Sequence, residues 1–206
     1  MGGRVVQQDA DLIIVGAGFA GMYMLHSARR LGFRATVIET GGDVGGTWYW
    51  NRYPGARCDV ESMSYSYSFS GDLQQEWVWP DRYATQPDIL RYARHVADRF
   101  DLRRDIRFDT RVTAAGFDAA HKVWQVHTDA GGRFVAPFLV MATGCLSVPK
   151  VPDVPGIENF RGRVLHTADW PQDGWQALHR LAGMVCTACS APAPRSPRAP
   201  AGAAGP

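Results

Sequence analysis

Gly16, Gly18 and Gly21 form a Gly-x-Gly-x-x-Gly pattern, and an acid, Glu39, follows 18 residues after the last of them. These residue types suit one task, holding the pyrophosphate and ribose of a dinucleotide. Gly16 allows a tight turn, Gly18 lets backbone approach a pyrophosphate, and Gly21 lets a helix pack close to a strand. The helix that opens there presents unpaired N–H groups and a partial positive charge to the phosphates. A carboxylate at Glu39 accepts hydrogen bonds from both ribose hydroxyls and repels a 2′-phosphate. This first site is therefore expected to take FAD or NAD and not NADP. A lone glycine triplet is also compatible with an ordinary βα turn, and a lone strand-end acid with a solvated side chain.

A second run, GGDVGGTWYWNRYPGARCD (Gly41 to Asp59), combines flexible backbone at Gly45 and Gly46 with Trp48, Tyr49, Trp50 and Tyr53. Two readings stay open by pattern: aromatics that stack on a flat ring such as a flavin, or a loop folded on itself. Met63, Tyr65, Tyr67 and Phe69 alternate with serines, the period of a half-buried strand packing the core. Cys186-Thr-Ala-Cys189 has zinc or redox spacing but lacks a second ligand pair, so no metal site is expected.

The elements that must position these residues read clearly. Asp11 to Val15 is an apolar run suited to a strand buried on both faces. Ala20 to Leu31 reads as a helix ended by Gly32, and Ala35 to Glu39 as a second buried strand. This strand–turn–helix–strand context is what the glycine motif needs. Thr85, with Asp88 three residues on, predicts a capped helix that turns Ile89, Ala93, Val96 and Phe100 to one face. Val112–Phe117, Val123–Thr128 and Phe134–Ala136 read as a small antiparallel sheet, with a turn over 129–132. Phe138 to Ala142 is expected as a further buried strand.

The 206 residues carry a formal charge of +2 and are 46% hydrophobic and 20% charged. That balance suits one domain or one and a half, and argues against a nucleic-acid partner, which needs a basic stripe. Of 22 basic residues only Lys122 and Lys150 are lysine, a skew read as genomic base composition. The most apolar run, Leu12 to Leu25, is shorter than the ~20 residues of a membrane helix and is cut by glycines. No charged stretch leads into a cleavable apolar one, and four cysteines are too few for a disulfide scaffold. A cytoplasmic, reduced setting with no membrane partner is expected; no oligomeric state is read.

The chain resembles the N-terminal part of a Baeyer–Villiger monooxygenase of the phenylacetone and cyclohexanone monooxygenase group. The resemblance runs from about residue 9 to 171. It rests on Gly16–Gly21, Glu39, GGTWYWNRYPGARCD (Gly45–Asp59), Ala142-Thr-Gly144 with Leu146-Ser-x-Pro149, and FRGRVLHTADWP. That last stretch fits F-x-G-x-x-x-H-T-x-x-W-P at every specified position. Related N- or S-oxygenating flavoproteins carry a similar pattern and usually differ at the Trp-Pro end.

The resemblance implies FAD and NADP as cofactors, with a ketone and O₂ as partners and an ester or lactone as product. It implies that Gly16, Gly18, Phe19 and Gly21 hold the FAD pyrophosphate and Glu39 the ribose. Gly45 and Gly46 run beside the flavin, and Thr47, Trp48, Tyr49 and Trp50 line it. Asp59 and Tyr65 sit near the isoalloxazine and Val112 near the adenine end. Arg57, Cys58 and Asp59 border the NADP nicotinamide. Asp59 supports an arginine that stabilises charge on the oxygenated flavin, and His166 organises the linker between nucleotide domains.

The implied fold is a three-layer α/β Rossmann-like FAD/NAD(P)-binding domain, with a parallel sheet, a helix layer and a small antiparallel β layer. Residues 1–144 form an incomplete FAD domain, since such domains often take a last strand from later in the chain. Residues 145–171 are expected as an extended, proline-rich linker bearing the fingerprint. Residues 172–206 are expected as an aberrant tail in place of an NADP domain: from Arg180 to Pro206 no strand and no second glycine motif is read, and the Ala/Pro-rich end is expected to be disordered. A frameshift between about 172 and 190, testable on the nucleotide sequence, accounts for this. The expected chain is truncated, and inactive with NADPH and a ketone on its own. A flavin N- or S-oxygenase and a non-catalytic flavin-binding remnant are the alternatives.

Overall fold

The computed structural model describes residues 9–171 and 185–187. A four-stranded parallel sheet stands at its centre, in the order β3-β2-β1-β7. Its strands are β1 (Leu12–Val15), β2 (Ala35–Ile38), β3 (Ile106–Arg107) and β7 (Phe138–Met141). β1 lies between β2 and β7, with Ile13 opposite Thr36 on one side and Leu139 on the other. All four residues of β1 are buried. Alternation sends them to two cores: Leu12 and Ile14 to the helix side, Ile13 to the other.

Helices α1 (Phe19–Arg30) and α4 (Gln86–Arg99) cover the first face. Met22 and Leu25 of α1 meet Tyr92, Ala93 and Val96 of α4 in the larger core. The second face is covered by a three-stranded antiparallel sheet, β4 (Val112–Asp118), β5 (Val123–Thr128) and β6 (Arg133–Ala136). Ile13 and Ile38 meet Val126 and Ala136 there. The turn between β5 and β6 has Gly131 at φ +75°. The three expected layers are present.

Several expectations need correction. Residues 62–65 form a 3₁₀ turn and 66–70 are irregular, so Met63 to Phe69 is not a strand. The alternating aromatics meet other rings instead of a pleated partner: Tyr67 and Phe69 lie 5.0 Å apart and both approach Tyr23. β7 is not a buried strand either. Among the described residues only β1 pairs with it, and Phe138 and Met141 are more than half exposed. The acid at Asp88 does not close a capping box; Thr85 Oγ1 donates to its carboxylate at 2.6 Å instead.

The linker is less uniformly extended than its prolines imply. It contains a 3₁₀ turn (Ile157–Asn159) and strand β8 (Val164–His166). β8 pairs in parallel with β9 (Val185–Thr187), so the expectation of no strand from Arg180 to Pro206 is overturned. Val-Cys-Thr is short but β-prone, and it has a ready partner in β8. The expected disorder over 191–206 and the Cys186/Cys189 pair lie outside the residues whose side chains are described. No described helix is long and apolar enough to cross a membrane.

α1 lies close enough to the β1 turn that a Cβ on Gly21 would stand 1.8 Å from the Gly16 carbonyl oxygen. Gly21→Ala should therefore cost about 3 kcal/mol or more, above the usual overpacking penalty because backbone is struck. A urea titration followed by far-UV circular dichroism checks this; an unchanged midpoint contradicts the packing.

Candidate functional site

β1 ends at Val15 and the chain turns at Gly16, whose φ is +103°. A Cβ there would meet the Ala142 carbonyl oxygen at 2.6 Å, so fold and φ both demand glycine. Gly18 is different. It caps α1 at φ −74°, and a Cβ on it would find nothing nearer than 3.5 Å. A side chain would fit there in ordinary contact with Gly46 Cα, so the protein's own packing does not demand glycine directly before the first turn of α1. That turn has no side-chain cap and no acidic residue, so its N–H groups point outward without partners from the helix. This is a cradle of the shape and polarity that a phosphate fills.

Glu39 follows β2 and is only 6% exposed. Its Oε2 accepts from Ala17 N–H at 2.6 Å and its Oε1 from Gly41 N–H at 2.7 Å. A carboxylate offers about four acceptor sites, so two remain for hydroxyl groups. The backbone of Glu39 is also fixed, donating to Arg107 O and accepting from Thr110 N–H. The acid is therefore held rigidly beside the glycine turn.

The second glycine loop closes the cradle. Gly45 N–H donates to Ala17 O at 3.1 Å. Gly46, at φ +54°, packs so near the first turn that a Cβ on it would lie 2.9 Å from Gly18 Cα. Helix α2 (Thr47–Trp50) follows. Trp48 stands edge-on to Tyr65 at 5.5 Å and packs over Cys58, Ala84 and Ile89. Tyr49 is a strut: its hydroxyl accepts from Gly42 N–H at 3.2 Å, and the Arg52 guanidinium covers its ring at 4.6 Å. Trp50 meets Tyr49 edge-on and is partly exposed. Thr47 accepts from the backbone and side chain of Asn51.

Other expected residues fall in varied places. The ring of Phe19 packs against Tyr65, Tyr67 and Tyr92, so only its backbone faces the cradle. Arg57 and Asp59 are exposed, while Cys58 between them is buried and donates its N–H to Ala84 O. Burial pushes the Cys58 thiol up, aided by the Asp59 charge. Burial likewise pushes the Tyr65 hydroxyl up, with Cys58 and Asp59 adding to it, which places these three side chains together. Val112 packs against the core between the sheets, and Thr110, two residues before it, bonds Glu39. Both nitrogens of His166 engage backbone: Nδ1 accepts from Ala168 N–H at 3.1 Å and Nε2 donates to Lys150 O at 3.2 Å.

Sequence reasoning missed the supports of this site. Gln86 is buried and its amide donates to Trp48 O. Asp43 is held by Arg94 and Arg103 at 2.7 and 2.8 Å. Burial pushes the Asp43 carboxyl up, but the bonds from Arg103, Val44 N–H and Arg94 outweigh it and hold it below the ordinary range. A polar side chain at the first position of a long amphipathic helix was the available signal for Gln86. Nothing in the sequence pattern marks Asp43.

The family profile described as pyridine nucleotide-disulphide oxidoreductase matches residues 13–174. A phenazine N-monooxygenase of Lysobacter antibioticus is 45% identical over 164 residues, 79% of this chain and 30% of that protein. A Baeyer–Villiger monooxygenase of Pseudooceanicola batsensis is 43% identical over 185 residues, 89% of this chain and 34% of that protein. Among solved structures, an oxidised steroid monooxygenase bound to NADP is 57% identical with a TM-score of 0.74, covering 80% of this chain and 32% of that one. The OTEMO complex with FAD and NADP is 41% identical with a TM-score of 0.76, covering 82% and 32%. The resemblance to Baeyer–Villiger monooxygenases is thus borne out. The chain spans about a third of the length of the relatives it matches.

Removing the Glu39 carboxylate strands two buried backbone donors before any ligand is considered. Each such donor costs about 1–3 kcal/mol, so Glu39→Ala should lower the unfolding free energy by about 2–6 kcal/mol. Glu39→Gln, which keeps one acceptor, should lose less. Urea unfolding of the ligand-free variants measures both; equal stability of all three proteins removes the carboxylate from this role.

The Asp43 carboxyl is lower in the folded chain than in the unfolded one, so its contribution is complete above the unfolded value and fades as pH falls through the folded value. Wild-type stability should therefore fall more steeply than that of Asp43→Asn below about pH 4, an ordinary aspartate's range. Urea midpoints between pH 2.5 and 6 test this, and parallel curves contradict it.

Proposed function

The chain belongs to the pyridine nucleotide-disulphide oxidoreductase family, and from that premise we propose that it is the FAD-binding part of an NADPH-dependent monooxygenase of Baeyer–Villiger type. The observation that carries the reading is Gly18. The fold does not require glycine there, yet glycine stands directly before a helix N-terminus that has no side-chain cap. Glu39 beside it, with acceptor capacity left over, suits the diol of a ribose. The similarity to the Pseudooceanicola protein and to the FAD- and NADP-bound structure supports the same reading.

In this reading the first-turn amides of α1 hold the pyrophosphate, Glu39 holds the adenosine ribose, and Gly45-Gly46 lets backbone run along the dinucleotide. Trp48 and Tyr65 wall the ring end, and Tyr49 keeps the loop in shape. Asp59 offers an exposed negative charge near that wall to orient an arginine. A bound flavin would supply the redox chemistry, accepting a hydride from NADPH and activating O₂, so that one oxygen would enter beside a ketone carbonyl to give an ester or lactone and the other would leave as water. Residues 1–144 form the FAD unit and 145–171 the linker, where His166 ties Lys150 to β8. Free thiols at Cys58 and Cys145 suit a reduced cytoplasmic setting.

A second reading, oxygenation at nitrogen, is favoured by the phenazine N-monooxygenase at 45% identity. A chimera joining this segment to the downstream two-thirds of the Pseudooceanicola relative separates the two. Ester from phenylacetone or cyclohexanone, seen by gas chromatography, supports the first; N-oxide from phenazine without ester supports the second.

The site itself makes a sharper prediction. The purified chain should bind FAD, turning yellow with protein-bound flavin bands. ADP-ribose should compete for the site, and its 2′-phosphorylated form should compete at least tenfold less well, because like charges a few ångströms apart cost upwards of about 1 kcal/mol. Fluorescence titration measures both. Equal competition, or no flavin binding, overturns the assignment.

A further inference from the structure

Helix α4 is the longest in the described chain, and one line of it does something its amphipathic pattern does not announce. Gln86, Leu90 and Arg94 recur every four residues and therefore share a face. Each reaches a different point of the loop that closes the cradle. The Gln86 amide donates to Trp48 O. Leu90 Cδ1 lies where a Cβ on Gly45 would be, at 2.7 Å. Arg94 Nε donates to Asp43 Oδ2 at 2.7 Å. Loop and helix run in opposite senses, so contacts at 86, 90 and 94 meet 48, 45 and 43 in turn.

Asp43 is joined there by Arg103, from the 3₁₀ turn after α4, at 2.8 Å, and its Oδ1 also accepts from Val44 N–H at 2.7 Å. Val44 is fully buried. The loop is thus fixed by a hydrogen bond, an apolar contact and an ion pair along 43–48. Within that stretch Gly45 bonds Ala17 and Gly46 abuts Gly18. All three α4 side chains contact the 43–48 loop and act through it.

We propose that Gln86, Leu90 and Arg94 are positioning residues that set the affinity for the flavin dinucleotide by holding the 43–48 loop against the glycine turn before ligand arrives. This rests on the proposed function, since the ligand is the one inferred there. Preorganisation of this kind raises affinity by removing the ordering cost from the binding step.

The test uses the purified full chain, FAD itself and three variants. Gln86→Ala leaves a buried carbonyl unpaired and should weaken FAD binding about tenfold. Arg94→Ala breaks a half-exposed ion pair and should weaken it about two- to fivefold. Arg99→Ala is the matched control: same helix, similar exposure, but paired with Glu76 on another surface. It should leave FAD affinity within twofold of wild type. Thermal melting without FAD is recorded for all. The bound flavin's absorption should keep its resolved shoulders in wild type and Arg99→Ala and lose them in Gln86→Ala.

If Gln86→Ala and Arg94→Ala lower the melting temperature but bind FAD like wild type with an unaltered spectrum, the side chains are merely structural and the proposal falls. If all three variants weaken FAD equally, the effect is general loosening and the proposal falls as well. A wild-type chain with no FAD affinity overturns the proposed function and takes this inference with it, which distinguishes the two failures.

Discussion

The Glu39 carboxylate bonds the glycine turn after β1 with one oxygen and the loop after β2 with the other. Two adjacent strands leave the parallel sheet at this end, and the shared acceptor ties their exits beside the backbone bond from Gly16 N–H to Ile38 O. The tie is short and buried, so water cannot substitute for it. The rim is assembled around this bond. Gly45 then reaches Ala17, α2 starts where Gly46 allows it, and α4 presses from behind.

Aromatic residues divide into two populations that composition alone cannot separate. One population builds the wall of α1. Tyr67 donates its hydroxyl to Phe19 O and its N–H to the Tyr92 hydroxyl, so the rings of Tyr67 and Tyr92 are locked by polar tips as well as by area. Burial raises the Tyr67 hydroxyl far above its ordinary range, which keeps it a donor. The second population, Trp48 and Trp50, stands on the rim. Tyr49 lies between them in sequence yet belongs to the first kind, since its ring and hydroxyl brace Gly41 and Gly42.

Much of this arrangement was legible in the sequence because the physical signals were local. The β1–α1–β2 unit announces itself by apolar runs, glycines and period. The antiparallel sheet follows from alternation and a glycine turn. Glu39 was legible as an acceptor, though not its two backbone donors, which come from residues whose side chains carry no message. The failures have a common cause. Met63 to Phe69 has strand periodicity but no strand to pair with, and β7 has a core-like sequence but sits at a sheet edge. Pairing partners are a property of topology, not of the run itself. The Asp43 clamp escaped for the same reason: its arginines are 51 and 60 residues away.

The order β3-β2-β1-β7 also fixes a timetable. β1 holds the middle of the sheet, yet one of its two neighbours begins at Phe138, and Asp9 just ahead of it bonds Val135, 126 residues on. A ribosome adding about 5–20 residues per second needs roughly 6–25 s to make that stretch. For that interval the most apolar strand of the protein has one open edge. The cradle, whose Gly16 rests against Ala142, can take its final shape only after residue 142 has been made.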